Sequence, residues 1–111
     1  MAETSWHVFD DGNTLGQKGS ENGVTIRDEE YPLGARITLE RGCASAPFAI
    51  TCGIYGWMVH TRFFSLESEA CLQYDLMRSA LSALLDRASE SVDESGKVLM
   101  DGAGAFVEMY P

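Results

Sequence analysis

"TCGIYGWMVHTRFF", residues 51–64, is the most apolar and aromatic stretch of the chain. It belongs to a longer segment, residues 42–61, that contains no Asp, Glu, Lys or Arg. Twenty uncharged residues in a helix would reach across a bilayer. Eight of these twenty, however, are Gly, Pro, Ser, Thr or His, and glycines and β-branched residues oppose a helix. The segment therefore reads as two strands joined by a turn. Phe48, Ile50 and Cys52 share one face of the first strand; Trp57, Val59, Thr61 and Phe63 share one face of the second. A two-residue turn at Ile54-Tyr55 sets Cys52 opposite Trp57 and Ile50 opposite Val59, which makes the apolar faces coincide and leaves Ala49 opposite His60 on the other face. A single bent strand kinked at Gly53 and Gly56 is the competing arrangement. Residues 57–64 are expected to be a central strand.

Upstream, strand patterns alternate with turn signals. Trp6 and Val8 alternate with His7 and Phe9 ahead of Asp11-Gly12, a hairpin signal, after which residues 13–18 make a weak strand. The loop GSENG, residues 19–23, carries a second such signal, Asn22-Gly23. Val24 and Ile26 alternate with Thr25 and Arg27, and Tyr31-Pro32-Leu33-Gly34 reads as a type I turn. Ala35, Ile37 and Leu39 then alternate with Arg36, Thr38 and Glu40, the cleanest period of two in the chain.

Downstream, a long helix begins at Ser65 as N-cap, with Glu67 and Glu69 in its first turn. Leu66, Ala70, Tyr74, Met77, Leu81, Leu84 and Ala88 form one apolar stripe. Leu72, Leu76 and Ala83 lie outside it and widen the apolar arc beyond a half-circle, so a curled sheet edge, the C-terminal tail or another subunit should cover them. Residues 89–97 read as a helix end and loop, and a short final strand is expected near residues 105–109. The expected fold is one α+β domain over residues 1–111: an antiparallel meander of five or six strands, a long helix across one face, and a C-terminal strand.

Composition limits function. The chain has 111 residues, 45% of them hydrophobic and 23% charged, which suits one globular domain. Acids outnumber bases 17 to 8, a net charge of −9, which disfavours nucleic acid and anionic membranes and favours basic partners. Three cysteines, Cys43, Cys52 and Cys71, in no CxxC pair, suggest reduced thiols and a cytoplasmic location. The first twelve residues lack the pattern of a secretory signal.

No catalytic residue, metal or cofactor is expected. The spacings of nine, eight and eleven along Cys43, Cys52, His60 and Cys71 match no zinc pattern. Lys18-Gly19-Ser20 leads into a strand rather than a helix, so it is not a phosphate loop. Three functional readings remain. The first is a binding or protein-interaction module, homodimeric through Leu72, Leu76 and Ala83. The second is an acidic inhibitor or immunity-type protein for a basic partner. The third is a small enzyme or ligand pocket built on His60 and Arg62 with carboxylates of Asp28, Glu29 and Glu30, where Asp28 and Glu30 share a strand face and Glu29 points away.

Overall fold

The structure is a computed structural model that describes residues 5–91 and 94–111. Five strands, β1 (His7–Val8), β2 (Val24–Tyr31), β3 (Ala35–Arg41), β4 (Phe48–Ile54) and β5 (Met58–Phe64), form one antiparallel sheet in the order of the chain. Helix α1 (Glu67–Glu90) crosses β3, β4 and β5, and a second helix, α2 (Ser95–Met109), packs on α1. The α+β class and the meander are as the alternation indicates. No helix among the described residues is long and apolar enough to cross a membrane.

One sheet face is covered by the two α-helices; the other, the bare face, carries no α-helix among the described residues, and the segment after β1 lies over part of it. Ala35, Ile37, Leu39, Ile50, Cys52 and Ile54 point at α1 and meet Ala70, Tyr74, Met77, Leu81, Leu84 and Leu85 in a single core. The predicted helix stripe is therefore the buried one, save that Leu66 caps the helix and stays exposed, and the helix starts one residue later than a Ser65 cap would place it. The tight turn at residues 31–34 closes through the Gly34 N–H donating to the Tyr31 carbonyl at 2.9 Å, with Gly34 at φ +118°, a conformation that favours glycine.

The β4–β5 register differs from expectation. The connection uses three residues: Trp57 N–H donates to the Ile54 carbonyl at 2.9 Å, and Gly56 supplies a φ of +83°. Cys52 consequently pairs with His60 and Ile50 with Arg62, three positions from the two-residue-turn register. An odd shift turns a strand over. Met58, His60, Arg62 and Phe64 face the helices, while Val59, Thr61 and Phe63 lie on the bare face. Trp57, Val59 and Phe63 are exposed rather than core.

The position of β5 also departs from expectation: it is an edge strand, not a central one. The final strand expected near residues 105–109 is part of α2 instead. Leu99, Ala103, Phe106 and Tyr110 fall at helical steps of four, three and four; Ala103 and Phe106 are buried, Leu99 and Tyr110 half-buried. Gly102 lets α2 sit close, since a Cβ there would collide with Leu84 Cδ1. This packing outweighs the low helix propensity of Gly102 and Gly104. Residues 13–18 form turns with one isolated bridge, Lys18 to Val24, instead of a strand. Of the 89–97 stretch, read as a helix end and loop, residues 95–97 already belong to α2, and residues 92–93 lie outside the described residues, as do residues 1–4 of the N-terminal reading.

Candidate functional site: a cleft on the bare sheet face

The bare face holds a cleft of about 860 Å³. Its floor is the polar side of β3 and β4, where Arg36, Thr38 and Glu40 lie beside Thr51 and Gly53. Thr38, Thr51 and Gly53 are small, so the floor is low. One wall is the segment that leaves β1, residues 10–20, folded back over β2 and β3; the other is Tyr55, Gly56, Trp57 and Val59.

Two buried carboxylates hold the first wall in place. Asp28 is 2% exposed. Its Oδ1 accepts from Arg36 Nε at 2.9 Å, and its Oδ2 accepts from Arg36 Nη2 and the Thr14 hydroxyl, each at 2.7 Å. The Arg36 guanidinium also lies 3.6 Å from the Phe9 ring centre, and its bond to Asp28 raises its pKa further. Glu40 is 1% exposed and accepts the N–H groups of Glu21 and Gly23, each at 3.1 Å. Charge-assisted acceptance of backbone amides is how a loop is fastened to a sheet without an ion pair. Tyr55 closes one end of the cleft by donating to Glu30 at 2.6 Å, and its hydroxyl is pushed up to about 12 by burial and by that carboxylate.

The carboxylate run divides as the alternation requires. Asp28 and Glu30 face the cleft side, and Glu29 faces α1, where it accepts from the Tyr74 hydroxyl at 2.8 Å and from Arg78 Nη1 at 2.8 Å. His60 and Arg62 lie on the same helix-side face but across two intervening strands from Glu29. His60 Nε2 is 2.6 Å from the Tyr110 carbonyl; Arg62 donates to the Pro111 carbonyl at 3.0 Å and to Gln73 Oε1 at 2.8 Å. The structure thus brings His60 and Arg62 together as clamps on the end of α2, and it brings neither to Glu29 nor to the cleft. Cys52 points into the core, where burial pushes its thiol up to about 12. Among the described residues no cluster of three or more His, Cys, Asp or Glu could hold a metal ion.

Leu72, Leu76 and Ala83 are exposed on α1, so α2 covers only part of the wide apolar arc. The cleft residues Arg36, Thr38 and Thr51 were not singled out by the sequence. For Arg36 and Thr38 the signal was present in the polar half of the β3 alternation, but the return of residues 10–20 across it leaves no periodic trace. Comparison with protein-family models, with curated proteins and with solved structures finds no match to this chain.

Proposed function

We propose that the protein is a small cytoplasmic binding module without catalytic activity, homodimeric, whose cleft receives a basic segment of a protein partner. The observation that carries this reading is the composition of the cleft. An apolar wall of Trp57 and Val59 faces a wall that carries Asp10, and its volume falls in the range of ordinary ligand sites. The Arg36 charge is matched by Asp28, which leaves Asp10 and Glu40 against Lys18 among the lining charges. An Arg or Lys with an apolar neighbour suits such a site, and the net charge of −9 draws it in while repelling nucleic acid.

The chemistry of the buried groups supports binding over catalysis: the Asp28 and Glu40 carboxylates already accept several donors, the histidines are not among the lining residues, and Cys52 is a buried thiol with a raised pKa, whereas a general base needs a free lone pair within reach of a substrate. An inhibitor or immunity-type role is the same reading with the bound basic protein as the one held in check.

The test is a ¹⁵N-NMR titration with an alternating Lys–Leu peptide and a Glu–Leu control. Shifts at Thr38, Thr51 and the Trp57 indole that weaken with salt support the reading. Equal response to both peptides, or shifts confined to α1 and α2, would overturn it.

A further inference from the structure

We propose that two copies of this chain join edge to edge through β5, in an antiparallel pairing centred on Thr61. β5 ends the sheet, and among the described residues no strand pairs with its outer side. An unpaired edge is a template for another strand, and proteins ordinarily blunt it with charge, proline or brevity. The far edge is blunted: β1 is two residues long and passes directly into a 3-10 turn. β5 is seven residues long, and it is the last strand of the sheet. Val59 is 82% exposed and Phe63 46%, and its one charged residue, Arg62, faces the helices and is engaged by Gln73 and Pro111.

Charge selects a second copy as the occupant. Chains of net charge −9 repel one another in most orientations. Residues 42–61 carry no charged side chain, and they build β4, the turn and most of β5. This edge is where two acidic copies can approach without facing like charges.

The strand is also self-complementary. Pairing about Thr61 sets Val59 of each copy opposite the partner's Phe63 on the bare face, and a twofold axis then relates the two. Centring on Arg62 would bring two guanidinium groups together, and centring on His60 would set Val59 against threonine instead. The exposed parts of Trp57, Val59 and Phe63 amount to about 300 Å² per copy, well below the ~800 Å² of a standard interface. The dimer is therefore reversible and weak, with both clefts on one side and both helix layers on the other. Trp57 and Val59 also form the apolar wall of the cleft, whereas Phe63 lies outside it, so a Phe63 variant that loses the dimer and keeps peptide binding separates the pairing from the cleft.

Sedimentation equilibrium of the full chain tests it, with an isotope-filtered NOE experiment on mixed labelled and unlabelled protein. The expected result is a concentration-dependent dimer with intermolecular contacts between the Val59 methyls and the Phe63 ring. Phe63→Lys, or Val59→Lys should the first variant lose its circular dichroism, raises the dissociation constant by about tenfold or more, and Leu76→Lys does not. A wild-type chain that stays monomeric at about 1 mM overturns the proposal. So does a dimer that Leu76→Lys disrupts and Phe63→Lys spares, or one without the Val59–Phe63 contact.

Discussion

Arg36 reaches across from β3 to grip Asp28 of β2 at two points, 2.7 and 2.9 Å, and the carboxylate it grips is almost wholly withdrawn from water. The pair joins two strands, and through Thr14 it also fixes the wall of the cleft. Removing the cation would leave a buried carboxylate with a single hydroxyl donor.

Arg36→Met should therefore destabilise the fold by about 2–3 kcal/mol, less than a fully buried pair would cost because Arg36 is partly exposed. Arg36→Met combined with Asp28→Asn should recover part of that loss, since the stranded charge is then gone. Urea denaturation measures both. A single-variant loss below about 0.5 kcal/mol would mean that water already serves Asp28.

Glu40 fastens residues 19–23 by accepting the amides of Glu21 and Gly23. Glu40→Ala leaves a buried N–H unpaired at Gly23 and should cost about 2–3 kcal/mol. Hydrogen exchange should accelerate at Glu21 and Gly23 well before it does at Ile37 or Ile50. Uniform acceleration across the sheet would contradict a local role.

The seam between the helices depends on Gly102. Gly102→Ala places a methyl into Leu84 and should destabilise by about 1–3 kcal/mol despite the better helix propensity of alanine. Leu84→Ala on the same chain should make room for that methyl, so the double variant should be less destabilised than the two single losses added together. Thermal unfolding of the four proteins checks this, and strict additivity would show that the two residues do not touch.

Alkaline pH should unfold the protein over a defined window. Burial, assisted by Asp86, raises the Tyr31 hydroxyl from 10.0 to about 12. Burial and Glu30 do the same for Tyr55, and burial raises the Cys52 thiol from 9.0 to about 12. Tyr74 is raised too, by burial and by Glu29. Below about pH 9 these groups keep their protons whether the chain is folded or not, so stability is undiminished. Between about pH 9 and 12 the unfolded chain releases them and the folded one does not, so stability falls as pH rises. Phenolate absorbance and far-ultraviolet circular dichroism should change together in that window. Full phenolate absorbance near pH 10 with the fold intact would show that these hydroxyls are not held.

Period-two alternation made β3 legible in full, because one face had to be apolar and the other polar whatever lay above it. The buried stripe of α1 was legible for the same reason. The β4–β5 register was not: Ile54-Tyr55 and Tyr55-Gly56-Trp57 are both chemically acceptable turns, and one residue of difference in a loop decides which way His60 points. α2 was hidden because its glycines weaken the local helix signal, while what Gly102 permits, close approach to Leu84, is a long-range fact. The cleft was hidden because Asp28 and Glu40 look like solvated strand residues until residues 10–23 fold over them.

The order of elements has a consequence during synthesis. Each strand lies beside the one made just before it, so the sheet can be paired as soon as residue 64 has left the ribosome. The helices come afterwards. Until residues 67–111 emerge, Ile37, Leu39, Ile50 and Ile54 have nothing above them, and the nascent chain is a sheet with one oily side facing the cell. The C-terminal half of the molecule thus serves the N-terminal half as its own late-arriving chaperone. A nonsense mutation anywhere in α1 would yield an aggregate rather than a smaller folded domain.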